Sequence, residues 1–123
     1  KNPYRKGYVY MVKNGDLGLI LLEKRPETGI FGGMMGFPTS EWLENGNIDH
    51  PPTVLALGRP VILEKYVIYH SFTHFDLELQ GYKIKARKAH KDQIWVSREE
   101  LVKSGLPSLF LKFARFISNN EDD

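Results

Sequence analysis

Cysteine is absent from the sequence, which excludes disulfides, thiolate zinc sites, iron–sulfur clusters and thiol catalysis within its 123 residues. An apolar run of about 20 residues, which a transmembrane helix requires, is absent as well. Apolar runs in the first half, such as Leu19–Leu22, are too short for the core of a signal peptide. We therefore expect neither a membrane partner nor secretion.

The chain has the length and composition of one soluble globular domain, residues 1–123, with 41% hydrophobic and 26% charged residues. It begins at Lys1 rather than at a methionine, which suggests a piece of a longer protein. Basic residues number 17 and acidic residues 15, of which three form the terminal run Glu121–Asp123. Without that run the chain has a modest basic bias, which permits contact with a polyanion without requiring it.

Most of the chain has the residue pattern of β-strands. The segments Tyr8–Val12 and Leu17–Glu23 flank Asn14-Gly15-Asp16, a sequence typical of a hairpin turn. Further strands are predicted at Met34–Phe37, Val61–Tyr69, Phe75–Lys85 and Gln93–Val96. Residues 44–60, which are rich in glycine and proline, predict a loop with one helical turn near Val54–Leu57.

Helices are predicted only near the C-terminus. Ser97 and Glu100 form a capping box for a helix that stops at Gly105. A second helix, starting near Ser108, has apolar residues three and four positions apart and should pack on the sheet. The sequence therefore predicts an α+β fold, with a mixed, mainly antiparallel sheet flanked by helices.

The segment His70-Ser71-Phe72-Thr73-His74 concentrates imidazole, hydroxyl and aromatic groups where one predicted strand gives way to the next. Two histidines four apart on a strand are about 13 Å apart, so they make a poor joint metal site unless the chain turns sharply between them. A loop that presents these groups to a planar polar ligand such as a base is the functional interpretation. The alternative is polar decoration of a strand end.

Two other segments contain residue types that bind phosphate. The glycine-rich stretch Arg25–Gly33 lacks the spacing of known phosphate-binding loops, and its glycines are explained more simply by a tight turn between strands. The second segment is basic and contains no acid; its members are Lys83, Lys85, Arg87, Lys88, His90 and Lys91. It is a candidate for phosphate contacts, and the alternative is a solvated basic hairpin.

Three blocks, in this order, resemble the C-terminal domain of adenine DNA glycosylases of the MutY family. They are Leu21–Pro26 with Ile30–Pro38, His70–Phe75, and Ile94–Ser97 with Gly105–Pro107. The resemblance spans about residues 4–117, and the His70–Phe75 block is its most specific part. It implies a Nudix-like fold, shared with the MutT hydrolases that cleave 8-oxo-dGTP.

We do not expect this chain to share the activity of the Nudix hydrolases. In those enzymes magnesium is bound by a helix that carries Arg-Glu followed by a glutamate pair. At the corresponding place the chain has Trp42 to Pro52, which lacks that pair and contains two helix-breaking prolines. Glu41 and Glu44 are three apart, but Asn45-Gly46-Asn47 interrupts any helix they would share. We therefore expect no metal site and no catalytic residue in this domain.

The resemblance implies that the loop at Phe72, Thr73 and His74 recognises 8-oxoguanine opposite adenine. Thr73 would contact the lesion where many family members have serine, Phe72 would wedge beside it, and His74 would support the contact. His70 and Ser71 would shape the loop.

The implied function is therefore lesion recognition for an adenine DNA glycosylase in base excision repair. The adenine would be removed by a separate catalytic domain, which in most members carries a 4Fe-4S cluster; no cofactor is expected in this domain. The expected partners are double-stranded DNA containing 8-oxoguanine opposite adenine and the protein's own catalytic domain. The expected location is the nucleoid-containing cytoplasm of a bacterium, or the nucleus or mitochondrion of a eukaryote. A free-standing hydrolase of oxidised nucleotides and a protein-interaction module remain as alternatives.

Overall fold

The computed structural model describes residues 2–120, so Lys1 and the acidic run Glu121–Asp123 lie outside the described residues. Within residues 2–120 the chain forms six strands and three helices. The strands are β1 (Tyr4–Asn14), β2 (Leu19–Lys24), β3 (Met35–Gly36), β4 (Val61–Ser71), β5 (Asp76–Lys85) and β6 (Gln93–Val96). The helices are α1 (Pro52–Leu55), α2 (Arg98–Leu101) and α3 (Ser108–Asn119). No helix in this part of the chain has both the length and the apolar character needed to cross a bilayer.

The strands form one mixed sheet in the order β3-β2-β1-β5-β4, and β6 pairs with β2. β1 and β5 are parallel over ten register pairs, from Tyr4 with Asp76 to Lys13 with Lys85. The other strand pairs described within residues 2–120 are antiparallel. The prediction of an α+β fold with a mixed, mainly antiparallel sheet is confirmed.

The first hairpin forms where Asn14-Gly15-Asp16 predicted it, but its turn is longer than expected. The Asn14 side-chain oxygen accepts the backbone N–H of Asp16 at 3.2 Å, and the Asn14 carbonyl accepts that of Gly18 at 2.7 Å. Gly18 adopts a φ of 68°, which glycine reaches at little cost. Because the turn occupies residues 15–18, β2 begins at Leu19 rather than at Leu17.

α3 packs on one face of the sheet and closes the larger part of the core. Its buried residues are Leu109, Phe110, Phe113, Ala114 and Ile117, spaced as the sequence predicted. Two glycines on the strands permit the close approach. A Cβ atom on Gly36 would lie 2.7 Å from the Phe110 ring, and one on Gly81 would lie 3.1 Å from the Phe113 ring.

The other face of the sheet is covered by the segment between β3 and β4. Its small core comprises Tyr10, Val12, Leu21, Val54, Ile84 and Ala86. α1 is the helical turn predicted inside this loop, placed two residues earlier in the chain and introduced by Pro51 and Pro52. This face of the sheet is therefore covered by a mostly irregular segment.

α2 begins as the sequence predicted and ends earlier. The Ser97 hydroxyl accepts the backbone N–H of Glu100 at 3.2 Å, which satisfies one of the free donors at the helix start. The helix ends at Leu101, and Gly105, with a φ of 68°, turns the chain toward α3. β6 occupies the predicted residues Gln93–Val96.

Candidate nucleic-acid interface

The segment His70–His74 lies at the connection between β4 and β5. The two strands pair up to Ser71 with Asp76, and the backbone N–H of Phe72 donates to the Phe75 carbonyl at 2.8 Å. The chain therefore makes a tight four-residue turn between antiparallel strands. Such a turn projects its central residues from a rigid base, which is how loops of many binding proteins present side chains to a ligand.

Thr73 and His74 occupy the exposed tip of this turn, and Ser71 is exposed beside them. These are the hydroxyl and imidazole groups that the sequence singled out. Since both strands are hydrogen-bonded on either side of the turn, the tip can meet a ligand without disturbing the core.

The Phe72 ring is turned inward and is half-buried. It stacks on Trp42 at a centroid distance of 6.1 Å and an interplanar angle of 24°, and its centroid lies 4.8 Å from that of Phe75. Phe31 packs against it from the glycine-rich connection between β2 and β3, at 5.7 Å. Phe31, Trp42, Phe72 and Phe75 form an aromatic cluster that supports the tip. Phe72, which the resemblance implies as a wedge beside the lesion, thus packs within the aromatic cluster beneath the turn.

The glycine-rich stretch Arg25–Gly33 forms a turn that connects β2 with β3. Its ends are held together by hydrogen bonds from the Arg25 N–H to the Met34 carbonyl and from the Gly33 N–H to the Pro26 carbonyl. The turn places Phe31, at a positive φ of 58°, under the aromatic cluster.

His70 is tied to α3 rather than to His74. The Lys112 ammonium donates to the Tyr69 carbonyl at 2.6 Å and lies 3.1 Å from the His70 Nδ1. Burial, and secondarily the charge of Lys112, lowers the pKa of His70 below its ordinary value. A neutral imidazole with an unprotonated Nδ1 accepts from Lys112. No metal-binding group of three or more His, Asp or Glu side chains occurs in residues 2–120.

Two arginine side chains lie over rings of the aromatic cluster, and the sequence analysis did not predict their positions there. The Arg5 guanidinium carbon lies 4.1 Å from the centroid of the Phe75 ring. That of Arg25 lies 5.3 Å from the centroid of the Trp42 ring, while its Nε donates to the Ile30 carbonyl. Burial lowers the pKa of Arg25. Arg5, Arg25 and Lys112 come from three distant segments, so only the folded chain brings them to the loop.

The basic segment lies at the opposite end of β5. The strand starts at Asp76, beside the turn, and ends at Lys85, a separation of about 30 Å at the usual rise of a strand. Of the predicted phosphate contacts, Lys85, Arg87 and Lys88 line a cleft of about 610 Å³ together with His90. Lys83 lines a neighbouring cleft, and Lys91 is exposed nearby in sequence. The structure does not bring these cations to the loop.

A second polar cluster occupies the sheet face opposite α3. The Tyr10 hydroxyl lies 2.7 Å from the His50 Nδ1, and the His50 ring packs edge-on against Tyr82 at 4.7 Å. Burial raises the pKa of Tyr10 and lowers that of His50. This cluster lies under the irregular segment, and its residues anchor that segment to the strands. No sequence pattern indicated this cluster, because His50 lies in the irregular segment between β3 and β4.

The carboxylates do not fit a magnesium site of the hydrolase type. Leu43 pairs with Lys6 of β1, so Glu41 and Glu44 flank an extended segment instead of sharing a helix face. Among the described residues no cluster of carboxylates converges on one point.

Comparison with known proteins identifies the family. The NUDIX domain profile matches residues 8–115. Curated proteins yield no match at the sequence level.

Solved structures give the same fold. The C-terminal domain of mouse MUTYH, solved in complex with human PCNA, is 20% identical with a TM-score of 0.69, covering 94% of this chain and 88% of that one. The MutT protein of Methanosarcina mazei Go1 is 19% identical with a TM-score of 0.69, covering 98% of each chain. The ORF135 protein of E. coli is 16% identical with a TM-score of 0.65, covering 93% and 88%. The chain belongs to the Nudix domain family.

Proposed function

We propose that this chain is the 8-oxoguanine-recognition domain of an adenine DNA glycosylase of the MutY type. The observation that carries the proposal is the β4–β5 turn, which exposes Thr73 and His74 on a rigid aromatic base. The likeness to the C-terminal domain of mouse MUTYH supports it. The absence of converging carboxylates among residues 2–120 favours a binding role over hydrolysis.

The chemistry of the lesion suits the groups at the tip. Oxidation converts N7 of guanine from a hydrogen-bond acceptor into an N–H donor and adds a carbonyl at C8. The Thr73 hydroxyl can accept from that N–H, whereas unmodified guanine offers only an acceptor there. His74 lies next to it and supports the contact. Phe72 flanks the lesion with its exposed edge while its face stays on Trp42, and His70 and Ser71 hold the base of the turn.

The proposal assigns adenine excision to a separate catalytic domain that flips the adenine out of the duplex. That domain would carry the 4Fe-4S cluster, and this domain would bind no cofactor. DNA containing 8-oxoguanine opposite adenine and the catalytic domain would be its partners. A protein partner, like the PCNA bound to the mouse MUTYH domain, extends the proposal. Lesion recognition would take place in the compartment that contains the DNA, which is the cytoplasm in a bacterium and the nucleus or mitochondrion in a eukaryote.

The experiment compares the affinity of this chain for duplexes that differ only in 8-oxoguanine or guanine opposite adenine. We expect tighter binding to the lesion, and we expect Thr73→Val to reduce that preference by about tenfold, the value of one hydrogen bond. Thr53→Val, at an exposed threonine of α1, is the matched control. Equal affinity of the unmodified chain for both duplexes, or an unchanged preference in Thr73→Val, would overturn the proposal.

A free-standing hydrolase of oxidised nucleotides is the second candidate, since MutT proteins share the fold to the same degree. Incubation with magnesium and 8-oxo-dGTP tests it. Rapid release of the monophosphate would establish this activity against our proposal. A protein-interaction module would show neither lesion preference nor hydrolysis.

A further inference from the structure

Cations continue from the loop along one side of the molecule. Lys112 reaches the base of the turn through the Tyr69 carbonyl, and the exposed Arg115 lies three residues further along α3, on the same helix face. α3 crosses β5 at Gly81, where a Cβ atom would lie 3.1 Å from the Phe113 ring. At this point α3 lies over the stretch of β5 between the turn and Lys83.

At the half of β5 far from the turn, Arg59, Lys83 and Lys85 line a cleft of about 490 Å³ with Val61, which we name the far cleft. Lys83 follows Gly81 by two residues, about 7 Å along the same strand face. Val61 pairs with Lys83 at the start of β4, and Arg59, two residues before it, lines the same cleft as Lys85. The far cleft thus gathers three permanent cations from two separate segments.

Gly58 permits the segment before Arg59 to pack closely against β5. A Cβ atom on Gly58 would lie 2.6 Å from the Lys85 carbonyl oxygen, so only glycine permits the chain before Arg59 to lie this close to β5. Like charges brought close together repel one another. Within residues 2–120, none of the three cations of the far cleft forms an ion pair. Because these cations have no acidic partner among the described residues, the far cleft favours the binding of an anion from outside the protein.

We propose that the far cleft binds the phosphate backbone of a duplex arm that extends from the lesion. The inference rests on the proposed function and extends it. The separation of about 30 Å along β5 corresponds to about nine base pairs at 3.4 Å each. The neighbouring cleft, lined by Lys85, Arg87 and Lys88, continues the positive surface in the same region.

The test measures binding of this chain to duplexes with one 8-oxoguanine opposite adenine and arms of different length. A short duplex has six base pairs on each side, about 20 Å, and cannot reach the far cleft. Two long duplexes extend one arm, on either side of the lesion, to thirteen base pairs, about 44 Å. Titrations between about 50 and 200 mM salt give the slope of log affinity against log salt for each.

We expect one of the two long duplexes to bind more tightly and with a steeper salt slope than the short one. Lys85→Gln and Arg59→Gln should each lower that slope by about one on the long duplex and leave the short duplex unchanged. Lys103→Gln, an exposed lysine that lines neither cleft, is the matched control and should leave the slope unchanged on both duplexes.

Equal slopes on short and long duplexes would overturn the inference, as would an equal effect of Lys103→Gln. The two proposals fail separately. If lesion recognition is wrong, the arm-length effect persists but is the same for guanine and 8-oxoguanine. If the far cleft is wrong, the preference for 8-oxoguanine on the short duplex persists without an arm-length effect.

Discussion

Replacement of Phe72 by alanine tests whether its ring supports the loop from below. Full burial of a phenylalanine side chain contributes about 1.5–3 kcal/mol, so a half-buried ring contributes about 1 kcal/mol. Its contacts with Trp42 and Phe75 add about 1 kcal/mol. We therefore expect Phe72→Ala to lower the free energy of unfolding by about 2 kcal/mol. For a domain of this size the melting temperature should fall by about 8 °C.

Thermal and urea unfolding of the isolated chain measure this effect. Thr73→Ala, one residue away at the exposed tip, should change stability by no more than about 0.5 kcal/mol. Phe72→Leu should cost about 1 kcal/mol, because it keeps most of the apolar volume. If Phe72→Ala melts within about 2 °C of the unmodified chain, the ring is not a supporting element and our reasoning about the aromatic cluster is refuted. In binding assays, Phe72→Leu shows whether loss of the ring weakens lesion binding in a variant that loses less stability than Phe72→Ala.

Three further expectations concern the scaffold. Gly81→Ala should lower stability by about 1–3 kcal/mol in urea unfolding, because the new methyl would meet Tyr66 at 2.7 Å, whereas Gly15→Ala, in open space, should not destabilise the chain. Ser97→Ala should cost about 1 kcal/mol in the same assay, since it removes the helix cap, and an unchanged midpoint would show that the cap is dispensable. The lowered pKa of His70 means that the unfolded chain binds its proton more readily, so stability should fall as the pH drops from about 7 toward 5. His70→Asn should reduce this pH dependence; an identical pH profile would contradict the assignment.

Local sequence signals predicted the elements whose cause is local. The turn at Asn14-Gly15-Asp16, the cap at Ser97 and the apolar spacing along α3 each depend on residues within a few positions of one another. The two-residue period after Phe75 likewise predicted β5. In these cases the physical cause of the structure lies within a short stretch of sequence, so a local pattern is enough to predict it.

Contacts between distant segments could not be read in the same way. The exposed tip at Thr73 and His74 was predicted, but the inward position of Phe72 depends on Trp42, which is thirty residues earlier. Arg5 reaches the site through the parallel pairing of β1 with β5, and no local pattern encodes that pairing. The sequence predicted possible phosphate contacts in the basic segment, but the distance of that segment from the loop follows only from the direction of β5.

The parallel pairing of β1 with β5 also bears on how the chain folds. Partners in this pairing are 72 positions apart throughout, from Tyr4 with Asp76 to Lys13 with Lys85. The hairpins β1–β2 and β4–β5 can form from neighbouring residues, whereas their union must first close a long loop at a large entropic cost. Folding of the whole domain should therefore be limited by this union, and substitutions along the β1–β5 seam should slow it. The β4–β5 turn is local, but the aromatic base beneath it is completed only after the seam has closed.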